Sequence, residues 1–390
     1  MIAPSLPSTL APPAPFPLVV AQTLTQEVFA PGMRRATYRL TTSGGPLIIN
    51  VVALDLGVPT VRLGVVTAHD RLVSPGETVS SMAQRTGAVA GINGDYFDIG
   101  QTNQPQGVVV RDGELLRTPS QRVALDVRRD RSVHVENVAM HGTVTYGSAS
   151  VPLTGVDEWP PQGGASVITA AFGAMRAAPD VLVATLVPAD TAHDAGAVAG
   201  VYRVADIAPA NAPQTSHGTL LGFGPAAQAS ASPPASGDDV TLALTMAPAL
   251  ADVACALGGG PLLVQDGRPV DDPNAPAPEE RNVRLPVSGA ATLGSARTLL
   301  LVEVDGRNGA SSLGVTRPQF AALMVGLGAS DAMAFDSGGS ATLVARQLGD
   351  AAVSDLGAPS DGAERRVADG LFAYSDAPLG SPAMLVARPA

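Results

Sequence analysis

The chain has 390 residues, 45% hydrophobic and only 15% charged, enough apolar material for a large core and against global disorder. Its formal net charge is −11 and no lysine occurs, which argues against nucleic acid or an anionic membrane as partner. Cys255 is the only cysteine, which excludes an intrachain disulfide and a cysteine-cluster metal site.

Residues 1–20 are Pro-rich, with no basic start and a short apolar run broken by proline. They read as a linker rather than an intact signal peptide. No window approaches the roughly 20 apolar residues of a membrane span. The runs ATYRL, PLIINVVALDL and TVRLGVVT predict short strands. In SPGETVSSMAQRTG, Val79, Met82 and Ala83 recur at helical spacing and Gly87 is a stop signal, so a helix is predicted over about 77–86. AVAGI follows as a buried strand, then NGDYFD as a turn; Asn-Gly also suits a plain tight turn.

Residues 105–155 read as further strands, with turns at Asp112-Gly113 and Gly147. Residues 205–239 read as a loop-rich insertion and 271–281 as a long surface loop of the kind that sometimes forms a lid. RTLLLVEV at 297–304 is a buried strand ending in Asp305-Gly306. Thr316 and Gln319 form a capping box, and Phe320, Leu323, Met324 and Leu327 make an apolar stripe before Gly328. DAMAF then runs as a strand into Asp336.

This order predicts an α/β domain: a mixed twisted sheet with flanking helices, a β-rich first half and a parallel βαβ unit near the C-terminus. One domain is expected over 21–376, with a tail at 377–390. Asp305 and Asp336 would follow the carboxyl ends of two strands, where open α/β sheets bind ligands. If those strands are neighbours, the carboxylates start about 5 Å apart at the backbone.

The stretch FDSGGSATLV at 335–344 contains the Asp-Ser-Gly-Gly of trypsin-like proteases, and VVTAHD at 65–70 faintly matches their histidine segment. The pattern is incomplete. Phe335 stands where a Gly would supply an oxyanion-hole amide, Asp70 follows His69, and the gap from His69 to Ser337 is too long. No G-x-S-x-G elbow occurs, and LGGGPLLV at 257–264 lacks the Lys-Ser/Thr of a P-loop. His69, His134, His141, His193 and His217 are scattered without metal-ligand spacing, so zinc is not expected. The sequence demands no cofactor; calcium or magnesium held by Asp and backbone oxygens stays open.

Five motifs resemble the phosphodiester glycosidase family, in order, over about 75–375. They are INGDYF at 92–97, LGGGPLLVQDG at 257–267, RTLLLVEVDGR at 297–307, AFDSGGSATLV at 334–344 and ERRVADGLFAY at 364–374. The family has Gly where this chain has Ser337, so Asp336 is the retained residue and Ser337 the departure. Ser lacks glycine's freedom at positive φ, so a perturbed local backbone is expected there.

The resemblance implies a hydrolase that cleaves a sugar-1-phosphodiester, or a related cell-surface glycan such as an exopolysaccharide, and an exported chain, extracellular or periplasmic. Such chemistry needs a carboxylate at the anomeric carbon and a cation for the phosphate. Asp336, Asp305 and Asp95 are the candidate catalytic carboxylates. Arg297 and Arg365 are candidate phosphate holders. Asn93, Gly94, Tyr96, Gly259, Gly260, Arg307 and Thr342 join them as candidate substrate-binding residues, with Gly338, Gly339 and Ser340 as an anion-binding backbone. The expected partner is a carbohydrate or sugar phosphate. Two other readings stay open: a non-catalytic sugar-binding module and an ordinary glycoside hydrolase.

Overall fold

The computed structural model describes residues 3–189 and 198–378. Most of the predicted elements form where the pattern places them. The three early runs are the strands Met33–Thr42, Gly45–Asp55 and Val61–Thr67. The first helix is Val79–Thr86: the Thr78 hydroxyl accepts from the Ser81 amide, and Gly87 closes it at φ 75°. The helix Arg317–Gly326 carries the Thr316/Gln319 capping box and buries Phe320, Leu323 and Met324.

The α/β expectation is overturned. The described chain is mostly β. An antiparallel eight-stranded sheet runs Val19–Ala30, Met33–Thr42, Gly45–Asp55, Ser295–Val304, Val287–Leu293, Ala329–Ala334, Leu262–Gln265, Arg268–Pro269. Two antiparallel five-stranded sheets and a closed seven-stranded barrel accompany it. The predicted parallel neighbours do not pair. Val287–Leu293 lies between Ser295–Val304 and Ala329–Ala334 and is antiparallel to both. Asp305 and Asp336 therefore start about 10 Å apart, two strand spacings rather than one.

The barrel is built from Ala139–Tyr146, Ala149–Val156, Ala165–Ile168, Ala178–Pro188, Gly200–Ala210, Thr219–Phe223 and Asp239–Ala247. Its core holds Val144, Leu153, Val167, Tyr202 and Phe223. Much of 205–239, read from composition as loop, thus supplies barrel strands and the short helix Pro225–Ser230.

The Pro-rich start, read as a linker, is packed. Leu10 and Phe16 join the core beside Phe320 and Leu323, and the Tyr38 hydroxyl donates to the Pro7 carbonyl at 2.7 Å. Proline favours an extended strap whose carbonyls stay free to accept. The tail from 379 onward lies outside the described residues, as does His193.

One core joins the large sheet to the two smaller ones, through Leu54, Leu301 and Met333 on one side and Ile92, Leu257, Leu343 and Leu371 on the other. This packing brings the ends of Ala90–Asn93, Val253–Gly258, Ala329–Ala334 and Asp369–Ser375 together.

Candidate active site

Asn93 ends a buried strand, and its side chain ties two sheets together. Nδ2 donates to the Asp336 carbonyl at 2.9 Å, and Oδ1 accepts from the Thr342 amide at 3.1 Å. The Asp336 amide donates to the Gly94 carbonyl at 3.0 Å. Asn93, Gly94, Asp336 and Thr342, far apart in sequence, thus meet at one point. Gly94 is required there because a Cβ would overlap the Asp369 carboxyl.

Asp95 lies just beneath and is 2% exposed. Arg122 grips both its oxygens, at 3.0 Å each, and the amides of Tyr96 and Gly107 complete the set. Burial pushes this carboxyl upward, opposed by the Arg122 charge and its hydrogen bonds. With all these contacts made inside the protein, Asp95 shapes the site from below. The Arg122 guanidinium also donates to the Gly259 carbonyl at 3.2 Å, so it braces the LGGGP loop. Asp369 backs this pair: its Oδ1 accepts from the Asp95 amide at 2.9 Å. Burial, then the Asp95 charge, holds Asp369 well above the usual carboxylate range.

Asp336 is the carboxylate of this group that stays partly exposed. Its Oδ1 accepts from the Ser337 amide at 2.9 Å, and the Ser340 hydroxyl is bonded to it as well. Burial raises it to about 6, against these bonds and the nearby Arg365 charge. It is therefore ionised at neutral pH yet basic enough to take a proton. The Tyr96 hydroxyl bonds Ser337 and is pushed up to about 12, by burial first and then by the Asp336 charge.

Ser337 does not sit in a strained conformation. Its φ is −106° and ψ −173°, ordinary extended backbone, and the positive φ of 68° falls on Gly338. Its hydroxyl donates to Glu280 at 3.1 Å. His69 is exposed on a short turn, where its amide donates to Glu77 at 2.9 Å. No Ser-His pair results.

Around Asp336 stand Arg307, Asp361 and Arg365. Arg365 donates to Asp361 at 2.6 Å and to the Ser340 hydroxyl at 3.4 Å. Arg307 lies against Gly338 and reaches Ser360 at 3.4 Å. Gly339 is where Asp361 and Arg365 approach the backbone; a Cβ there would overlap both. Gly260 donates to the Ala334 carbonyl at 2.9 Å, beside this loop.

Two expected residues are not brought to Asp336. Arg297 is exposed at the far end of the strand that leads to Asp305, roughly 25 Å along it. Asp305 is buried, accepts from the Ala358 amide at 2.9 Å and pairs with Glu303. Burial raises both carboxyls, Glu303 well above its ordinary range with the Asp305 charge as the next cause. Conversely, four site residues escaped the sequence reading. Arg122 and Arg317 lie in no motif; Glu280 sits in the 271–281 loop, which reaches the site. Asp369 stands inside ERRVADG, where the Asp-Gly after the arginines was the available signal.

The fold is shared with solved structures. A hypothetical protein from Synechocystis matches with TM-score 0.76 and 19% identity over 91% of this chain; the chain spans 64% of that protein. A protein of Burkholderia pseudomallei K96243, provisionally named as exported, matches with TM-score 0.71 and 19% identity over 94% of this chain and 99% of its own. The catalytic domain of zebrafish N-acetylglucosamine-1-phosphodiester alpha-N-acetylglucosaminidase overlaps with TM-score 0.46 and 13% identity, over 90% and 88% of the two chains. That last likeness is too slight to carry weight. No curated protein matches the sequence. The phosphodiester glycosidase family model matches residues 194–374, just under half of the chain, a segment that contains Gly259, Asp336, Arg365 and Asp369.

Proposed function

We propose that the chain cleaves the glycosidic bond of a sugar-1-phosphodiester, or of a related cell-surface glycan, and releases sugar and a phosphomonoester. The observation that carries this reading is the state of Asp336: partly exposed, raised to about 6, and set above a fully paired Asp95–Arg122 floor. A phosphomonoester is already a good leaving group, so strong acid catalysis is not required. The Asp336 carboxylate stabilises positive charge at the anomeric carbon as the C–O bond breaks and the phosphomonoester leaves with the electron pair. Water then adds to that carbon and gives its proton to Asp336. Arg365 and the Gly338–Ser340 turn lie on the side where sugar hydroxyls and anionic oxygens would bind.

The same reading takes the chain to be exported, supported by the resemblance and by the name given to the Burkholderia protein. Asp336→Asn and Ser337→Ala test the chemistry on an activated sugar-1-phosphodiester. Losing the carboxylate is expected to cost on the order of a thousandfold in rate. Ser337→Ala is expected to stay within a few fold, whereas a serine nucleophile would lose nearly everything. Binding of such diesters by the parent without turnover would favour a sugar-binding module instead.

A further inference from the structure

Arg317 opens the helix Arg317–Gly326, and both its Nη atoms are buried. The side chain is 12% exposed, and neither Nη1 nor Nη2 has a hydrogen-bond partner among the described residues. A buried cation whose hydrogen-bond donors are unmet is costly, so such a group is normally matched by a close anion. The nearest carboxylate, Glu280, stays 3.8 Å away, and the same oxygen accepts from the Ser337 hydroxyl at 3.1 Å.

Beside Arg317 lies a cavity of about 390 Å³, walled largely by Pro261, Leu262, Pro269, Pro278, Pro318 and Ala321. Its other charged groups are committed. Arg281 is paired with Asp271, and Asp272 accepts from the amides of Leu262 and Asn274. Arg317 is thus the cation of this lining held most loosely, by the 3.8 Å ion pair to Glu280 and no hydrogen bond at either Nη among the described residues, so an entering anion would take the place of Glu280. The walls are stiff and apolar, and the volume suits a small ligand.

The cavity adjoins the Asp336 site. The Tyr96 hydroxyl, bonded to Ser337, feels the charges of both Asp336 and Arg317. Pro261 follows directly on Gly260, the end of the loop that Arg122 braces. The other arginines near Asp336 are less free: Arg365 and Arg307 both engage Asp361.

We infer that Arg317 is the phosphate anchor, and that the apolar cavity beside it receives the non-sugar half of the substrate, an aromatic or aliphatic phosphomonoester. This rests on the reading proposed above. A bidentate grip on two phosphate oxygens would supply both missing partners of the guanidinium. The apolar walls would favour a hydrophobic aglycone over a second sugar.

Calorimetric titration with phenyl phosphate and with inorganic phosphate tests this. The parent is expected to bind phenyl phosphate about tenfold or more tighter than inorganic phosphate, because only the former fills the cavity. Arg317→Met is expected to weaken phenyl phosphate by about tenfold or more. Arg317→Lys keeps the charge but not the fork, and a loss of roughly threefold to tenfold is expected; it is the variant read if the methionine protein does not fold. No binding to the parent at millimolar concentration, no preference over inorganic phosphate, or unchanged binding in the arginine variants would overturn the inference. Phenyl phosphate binding through Arg317 without turnover of any diester would sink the hydrolase reading alone. Turnover with unchanged Arg317 variants would sink this inference alone.

Discussion

At Asp336, the Ser337 amide and the Ser340 hydroxyl favour the charged carboxylate while burial favours the neutral acid. The balance at about 6 has a kinetic consequence. If the carboxylate form works, kcat/KM rises with pH through about 6 and then levels, and Asp336→Asn removes that limb. A rate that falls as pH rises through that value would mean that the protonated acid is used. Below the site, Asp95 depends on Arg122. Arg122→Met leaves a buried carboxylate without its counter-charge, and a loss of about 3–5 kcal/mol is expected from urea unfolding. An unchanged midpoint would show that Asp95 does not need the pair. These roles were only half legible in the sequence. Asn93, Asp336 and Arg365 stand inside motifs, whereas Arg122 and Arg317 act through long side chains whose targets depend on tertiary packing.

At the scale of elements, the glycines separate two kinds of close approach. At Gly258 a Cβ would stand 2.8 Å from Asp95, 2.9 Å from the Gly107 Cα and 3.0 Å from the Val108 nitrogen. Two of these neighbours are backbone and cannot swing away, so Gly258→Ala is expected to lower Tm clearly. At Gly339 the obstacles are the ends of the Asp361 and Arg365 side chains, which can move. Gly339→Ala is therefore expected to keep Tm within a few degrees but to raise KM by disturbing Arg365. Equal thermal shifts in the two variants would contradict this division. Helices and their caps were readable because capping residues and apolar spacing act locally. The strand Val287–Leu293, VSGAATL, was not: its small residues are buried on both faces, with no alternation to mark them. Gly289 is needed there because a Cβ would overlap the Met333 carbonyl oxygen of the neighbouring strand and stand 3.1 Å from Phe320 of the overlying helix. That one unread strand turned an expected parallel pair into an antiparallel sheet.

Over the whole molecule, acidity is stored in buried carboxyls. Burial raises Asp157 to about 7 and Asp355, like Asp336, to about 6. In the unfolded chain these groups titrate near 4. Between roughly pH 4 and 7 the folded state therefore binds more protons, so this contribution is complete below 4 and is lost as pH rises. Glu77 acts oppositely: burial raises it, but Arg85, the His69 amide and Ser81 bring it below its ordinary value. Its contribution is present at higher pH and lost on acidification. Thermal unfolding is thus expected to show a maximum near pH 5 and a lower Tm at pH 8; a Tm that climbs steadily to pH 8 would contradict these assignments. The barrel was the least legible part. Its strands lie between Pro- and Ala-rich turns, and closure joins segments about a hundred residues apart, such as Ala139–Tyr146 and Asp239–Ala247.

Hydrolysis of a sugar-1-phosphodiester in ¹⁸O-labelled water, with the label traced in both products, tests the central claim most directly. Attack of water at the anomeric carbon, with Asp336 as its proton acceptor, places the label in the released sugar and none in the phosphomonoester. Label in the phosphomonoester would mean P–O cleavage, and the glycosidase account would be wrong.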